Sequence, residues 1–350
     1  MNPFYQVTNL FAQQNYQGQI TSYQLGASTL PGGGQINPGN FMRGLRLQVR
    51  TITAGATQTT QADGPYILFL YAGLQNVDGS EILYNVLSGY EYYIAQFLFR
   101  PWLMLPSLRA SYAYNTTTVA FDMFLQPEVR QQLGVLENTD SRSQYQWSQT
   151  INTESAVVGS AGTSPTLSIL SFIDTWAQPD AEDLEQTPNQ QIPPGANLQT
   201  KLRHQTFNGA AAGGSNTFLS TLTGNAVRGQ ALIFRDGSNV RQDGLSNPIQ
   251  WQLDQRNLSS VAPDQYFRWA EDFYSQYYAA SYVRPTGVYP FPRFYNPGYL
   301  YGQGWLYTAN STAESWSSST ASGISGTPTV TLLQEEVYAT GAVDPTLIDL

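Results

Sequence analysis

The sequence predicts an all-β protein built as two antiparallel sandwiches. Three observations carry this expectation. Short apolar and aromatic segments recur, set apart by turn residues at intervals of about ten positions, which is the rhythm of many short strands. Helical periodicity is confined to a few short stretches, and no alternation of strand and helix marks a parallel sheet. The strand-like segments fall in two blocks of roughly 120 and 180 residues, each large enough for a core of its own.

Taken in order, residues 1–40 read as an N-terminal arm. Phe4 to Gln13 allows a short helix with Phe4, Val7, Leu10 and Phe11 on one face, and the rest, through Gly32-Gly33-Gly34, reads as extended. The first sandwich is expected over 41–155. Leu45, Leu47 and Val49 alternate with Arg46, Gln48 and Arg50, the pattern of a strand with one buried face. Tyr66 to Tyr71 (YILFLY) is β-forming and set off by Asp63-Gly64-Pro65. Ile82 to Leu87 suits a short strand or a helical turn. Tyr90 to Leu105 is densely apolar and carries Pro101 and Pro106, and Tyr112 to Leu125 reads as strand. Pro127 to Leu136 allows a short helix or loop, and 138–165 has almost no large aliphatics.

The second sandwich is expected over 156–350. Thr166 to Trp176 opens it, followed by a long loop at about 178–217, acidic at first and then rich in Pro, Gly, Asn and Ala. A structureless connection of that length is uncommon inside a compact domain, so it belongs on the surface or around a neighbour. Strands resume at Ala231 to Arg235 and Ile249 to Leu253. Pro263 to Tyr278 is the clearest helix, with Pro263 suited to its first position and Asp264 to its positive end. Val288 to Phe294, Tyr299 to Tyr307 and Thr327 to Tyr338 supply the last strands. The similar openings Arg43-Gly44-Leu45 and Arg228-Gly229-Gln230 are weak support for a duplication.

Composition narrows the function classes. Only 12% of the 350 residues are charged, about half the usual share. Lys201 is the one lysine and His204 the one histidine. The absence of Cys excludes disulfides, thiolate metal sites and a thiol nucleophile. The 46 aromatic residues argue against a disordered chain. No apolar run approaches the roughly 20 residues of a membrane helix. The net charge of −9 argues against a protein built to neutralise nucleic-acid phosphates. Met1-Asn2-Pro3-Phe4-Tyr5 lacks the order of a secretory signal, so export is not expected. A surface whose polarity comes from Gln, Asn, Ser and Thr has little charge repulsion to hold copies apart.

The search for chemistry finds little. His204 has no nucleophile marked near it, and one histidine makes no multi-histidine zinc site. Gly32-Gly33-Gly34 lacks the Lys and Ser of a phosphate loop. The carboxylate candidates are Asp174, Glu271 with Asp272, and Glu335 with Glu336. Neighbours on a strand or a helix diverge, so neither adjacent pair is set to share a cleft. Asp236-Gly237-Ser238-Asn239 reads as a turn rather than a calcium loop. The aromatics at Tyr90, Tyr92, Tyr93, Trp102, 266–278, Tyr289, Phe291, Phe294, Tyr295, Tyr299, Tyr301, Trp305 and Tyr307 suit core or interface, where Tyr and Trp offer an apolar body and a polar tip. No enzyme activity, catalytic residue, cofactor or metal is expected.

Several phrases resemble the major capsid proteins of tailless, membrane-containing icosahedral bacteriophages, the tectivirus type. They are Met42-Arg43-Gly44-Leu45-Arg46-Leu47-Gln48-Val49; the run Gly229-Gln230-Ala231-Leu232-Ile233-Phe234-Arg235-Asp236-Gly237 leading through Trp251 and Leu258 to Phe267-Arg268-Trp269; and Thr286-Gly287-Val288-Tyr289-Pro290. The match is closest over 228–310. The resemblance implies two side-by-side eight-stranded jelly-roll sandwiches with short helices and long loops. It further implies a homotrimer with a pseudo-hexagonal footprint, tiling a virion's capsid shell against neighbouring trimers, vertex and minor capsid proteins and an internal membrane, with no sequence-specific nucleic-acid binding. The N-terminal arm would lie at the base, where Phe4, Tyr5, Leu10 and Phe11 are the candidate assembly contacts. A membrane-facing base is expected to be basic, yet residues 1–42 hold no Lys or Arg, so lipid contact would rest on those four side chains. Two alternatives stay open: a secreted polysaccharide-binding β-sandwich module or glycoside hydrolase, and a minor capsid or spike protein.

Overall fold

The computed structural model describes residues 13–24, 31–36, 41–52, 63, 66–76, 82–101, 113–114, 118–128, 134–138, 145–152, 166–176, 198–278, 283–293 and 305–339. They form two compact units, whose boundaries in the sequence include Lys201/Leu202 and Glu336/Val337.

The first unit holds β1 (Gln13–Gln24), β2 (Pro31–Ile36), β3 (Phe41–Ile52), β4 (Phe69–Asn76), β5 (Ile82–Leu87), helix α1 (Gly89–Phe99), β6 (Ala113–Tyr114), β7 (Thr118–Leu125), β8 (Leu136–Glu137), β9 (Tyr145–Ile151) and β10 (Thr166–Trp176). One sheet runs β1-β10-β3-β7-β6, with β8 beside β3, and a second runs β5-β4-β9-β2. The alternation read in β3 is kept: Leu45, Leu47 and Val49 are buried and stand opposite Leu125, Met123 and Phe121 of β7. Strand β9 repeats the pattern, burying Tyr145, Trp147 and Ile151. The Phe69 ring of β4 meets Phe121 of β7 edge-on at 6.1 Å, so the two sheets close over a shared core.

Helix α1 occupies the stretch whose dense apolarity left its state open. Nearly every residue of it is buried, which removes the amphipathic signal that marks surface helices. Its start is specified locally: Ser88 Oγ accepts from the Glu91 backbone N–H at 3.3 Å, and the Glu91 carboxylate accepts from the Ser88 N–H at 2.7 Å. This reciprocal cap satisfies two donors that the first turn leaves open. Ser88→Ala should therefore lower stability by about 1 kcal/mol, read as a lower midpoint in urea unfolding. After α1, Arg100 donates to the Pro127 carbonyl and to Thr200, while Arg43 pairs with buried Glu128 at 2.5 Å. Gly134 adopts φ +85°, and a Cβ there would stand 2.5 Å from the Pro127 carbonyl oxygen, so glycine is required.

Three expected boundaries are corrected. Within the expected arm, β1 pairs with β10 and β2 with β9, so these segments are sheet strands of the first unit. Strand β10 was expected to open the second sandwich. It lies instead between β1 and β3, with Ile169 opposite Val49 and Ile173 opposite Leu45. Partners so distant in sequence leave no local trace. The third correction concerns the long loop at 178–217: it carries strands from Leu198 onward, and 178–197 lies outside the described residues. The Phe4 to Gln13 helix also falls outside them, apart from Gln13, which belongs to β1.

The second unit takes in most of β11 (Leu198–Asn208), then β12 (Ser215–Ser220), β13 (Ala226–Arg235), β14 (Ile249–Leu253), β15 (Arg256–Val261), helix α2 (Pro263–Tyr278), β16 (Val288–Pro292), β17 (Leu306–Tyr307), β18 (Glu314–Ser319) and β19 (Thr329–Ala339) to Glu336. Its sheets run β16-β13-β19-β11, with β17 beside β13, and β12-β18-β14-β15. Phe218, Ile249 and Trp316 from one sheet meet Leu232, Phe234, Phe291, Val330 and Leu332 from the other. The helix expected at 263–278 is present, and it buries Tyr266, Ala270 and Tyr274, four residues apart along one face. Tyr266 packs 5.0 Å from Phe291, and Phe267 lies 5.3 Å from Tyr289. Strands β14 and β15 join through Asp254 and Gln255, both at positive φ, as a two-residue primed turn demands. The Asp254 carboxylate accepts from the backbone N–H groups of Thr312 and Ala313, which hold its charged form and keep its pKa below the usual carboxylate value.

Both units are predominantly β-sheet with short helices, in the manner of jelly-roll-type sandwiches.

Candidate functional site

A chain this poor in charge places several of its charged side chains inside the second unit. The inner row of β13 begins apolar, with Phe234 and Leu232, and continues as Gln230. The row on β19 changes likewise, from Val330 and Leu332 to Gln334 and Glu336, and that on β18 from Trp316 to Glu314. One half of the interior is therefore an aromatic core and the other half polar.

The polar half is densely bonded. Gln230 Nε2 donates to Glu314 Oε2 at 2.6 Å and to Gln334 Oε1 at 2.7 Å. Trp251 Nε1 donates to Glu314 Oε1 at 2.6 Å. Arg293 donates through Nε and Nη2 to Gln230 Oε1 at 3.1 and 3.0 Å, lies 3.6 Å from Glu314 and stacks 3.7 Å from the centre of the Trp251 ring. Glu336 accepts from Asn225 at 2.6 Å and Gln334 at 2.9 Å, with Arg203 at 3.6 Å. Arg228 and Glu335 pair at 2.5 Å, both buried to within 1%.

Desolvation dominates the electrostatics. Burial pushes the Glu314 carboxyl above its ordinary value, against the downward pull of Arg293, Gln230 and Trp251. The same burial pushes the Arg293 guanidinium down, against the support of Glu314. Each carboxylate is held by fixed donors. That arrangement braces strands and fixes register, because buried ions are tolerated only when every partner is in place.

The sequence-derived candidates separate as follows. Phe4, Tyr5, Leu10 and Phe11 lie outside the described residues. His204 is not a loop residue: it sits half-buried on β11, a strand so polar that its composition resembles a loop. Glu335 and Glu336 diverge as the strand period requires and take different partners. Glu271 and Asp272 are exposed on α2, and Asp174 stands opposite Gly44 in the β3–β10 pair. Asp236 closes a turn, its Oδ1 accepting from the N–H groups of Ser238 and Val240 at 2.9 Å each. Among the described residues, no group of three or more His, Asp or Glu side chains is arranged to hold a metal.

The aromatics divide between interior and surface. Tyr90, Tyr92, Tyr289, Phe291 and Trp305 are buried, and Tyr93 stacks on Tyr66 at 4.2 Å. Trp269 and Tyr307 are exposed, the former stacked on Phe273 at 6.0 Å. Trp102, Phe294, Tyr295, Tyr299 and Tyr301 lie outside the described residues. The buried network itself was missed by sequence reasoning. Its only trace is the placing of Arg228 and Gln230 in a largely apolar strand, and of Gln334-Glu335-Glu336 within another.

No protein-family model matches the chain. No curated protein sequence matches it either. Solved structures do. A chain of the atomic structure of Sulfolobus turreted icosahedral virus superposes with a TM-score of 0.65 at 14% identity, over 96% of this chain and 94% of that one. The PBCV-1 virus capsid gives 0.63 at 12% identity, over 93% of each. The major capsid protein P2 from bacteriophage PM2 gives 0.52 at 9% identity, over 93% of this chain and all of that one. At such identities the likeness is one of fold: along nearly its whole length, this chain has the fold found in these viral capsids.

Proposed function

We propose that this chain is a structural major capsid protein of an icosahedral virus, located in the capsid shell. The observation that carries the reading is the extent of the likeness: more than nine-tenths of this chain and of each capsid chain compared above superpose. A single shared sandwich would leave half of either chain unmatched.

The finer reading is two eight-stranded jelly rolls in one chain, assembling as a homotrimer with six jelly rolls in a pseudo-hexagonal outline. Trimers tile the facets and meet vertex and minor capsid proteins. The phrases around Met42–Val49 and 228–310 support the tectivirus type of bacteriophage, with an internal membrane beneath the shell. Phe4, Tyr5, Leu10 and Phe11 are the proposed contacts at the base. The low charge supports close packing of copies, since interface cores are depleted in charged residues, and a closed trimer repeats one heterologous interface three times.

Native mass measurement followed by electron microscopy tests this. A particle of three times 38.7 kDa with a hexagonal outline is expected. A persistent monomer that binds polysaccharide would overturn the proposal in favour of a carbohydrate-binding module.

A further inference from the structure

We propose that Glu314 is a pH-responsive latch of the second unit: on taking up a proton it releases the Trp251 indole and the Arg293 guanidinium, and the β14–β15 hairpin loosens while the unit stays folded. The inference stands on this unit alone and holds whether or not the chain assembles as a capsid subunit.

The geometry makes the site depend on the carboxylate's charge. Both carboxylate oxygens already accept a short bond, Oε1 from Trp251 and Oε2 from Gln230, each at 2.6 Å. A proton on Oε1 would face the indole N–H, and a proton on Oε2 would face the Gln230 amide N–H. Either way the oxygen that takes the proton gives up one lone pair, and the loss of charge turns both charge-assisted bonds into weaker neutral ones. The indole has no acceptor lone pair with which to adapt, whereas the amide of Gln230 keeps Gln334 Oε1 as a partner at 2.7 Å. The weak point is therefore Trp251. Strand β15 ends its sheet and pairs there with β14, so Trp251 anchors a hairpin at an edge.

The charge balance points the same way. Among the described residues, the groups facing Glu314 are Arg293 directly, with Tyr266 of α2 acting on Arg293; beyond Gln230 and Gln334 stand Arg228 with Glu335, and Arg203 with Glu336. Three arginines, of which Arg203 is partly exposed, thus stand against three buried glutamates. A single proton on Glu314 leaves Arg293 with no anion beside it among the described residues, stacked on the ring whose bond has just weakened. Burial already favours that proton, since it holds the Glu314 carboxyl above its ordinary value.

A carboxyl whose folded pKa is raised binds its proton more tightly in the folded chain than in the unfolded one. Its contribution to stability therefore grows as pH falls through the folded value toward the unfolded one. Loosening of the hairpin is then a local event, separate from acid denaturation.

The test is a pH titration of the full chain by NMR of ¹⁵N-labelled tryptophan indoles. The Trp251 signal is identified as the one missing from Trp251→Phe. It should move in a single one-proton step with a midpoint above about 4.3, the ordinary glutamate value. Glu314→Gln should abolish the step. Arg293→Gln should raise its midpoint by about one unit or more, because a neighbouring cation favours the carboxylate. Backbone amides of β14 should exchange faster below the midpoint, and those of β13 should not. A Trp251 signal that stays still, or moves alike in Glu314→Gln, overturns the proposal. If Glu314→Gln does not fold, a midpoint unchanged in Arg293→Gln overturns it equally.

Discussion

Replacing Arg228 with alanine is expected to destabilise the second unit by about 3–5 kcal/mol, the cost of leaving a buried charge without its partner. Arg228 is fully buried and Glu335 is 1% exposed, with 2.5 Å between them. The substitution removes the cation and leaves the Glu335 carboxylate in an interior from which water is excluded. The counter-experiment is the double replacement Arg228→Met with Glu335→Leu. It removes both desolvation penalties and should come within about 1 kcal/mol of the wild type, or exceed it. Urea unfolding, followed by a probe in the second unit, measures both. Equal losses in the single and double variants would mean that the pair contributes through packing alone.

Trp316→Ala should cost a further class of energy, about 3–5 kcal/mol, through the cavity it leaves. Trp316 is wholly buried, stands opposite Phe218 of β12 and Trp251 of β14, and lies 6.1 Å from Phe291 of the facing sheet. Its side chain thus joins three strands of one sheet to the core of the other. Trp269→Ala is the control: that ring is 46% exposed on α2, and its loss should fall within about 0.5 kcal/mol, as for most surface changes. Thermal unfolding of the two variants should separate them clearly. Similar shifts would place the second unit's stability in α2 rather than between its sheets.

Legibility in the sequence followed how local each determinant is. The β3 alternation, the β14 span and the α2 helix are readable because a strand period or a Pro-Asp start is written in adjacent residues. Helix α1 is not, because a helix buried on nearly every side loses its polar face. Strand β11 was hidden for the opposite reason. Its Gln199, Thr200, Arg203 and Thr206 look like loop residues, yet they bond to Tyr338, Pro127, Glu336 and Thr331. Strand β10 is marked as a strand by its own residues, but nothing near it names β1 and β3 as its partners.

The candidate site divides along the same line. The low overall charge was visible at once, and it was read as a property of the surface. The structure adds that Arg228, Glu314, Glu335 and Glu336 are buried in one unit's interior, with Arg203 and Arg293 reaching them from its margin. By itself, the sequence determined the class of fold and the absence of thiol chemistry, because composition and short periods are local quantities. Only the tertiary structure decided where the units divide and which charges meet. Pairing brings together residues as far apart as Arg228 and Glu335, and the energy of a buried charge depends on what surrounds it in space.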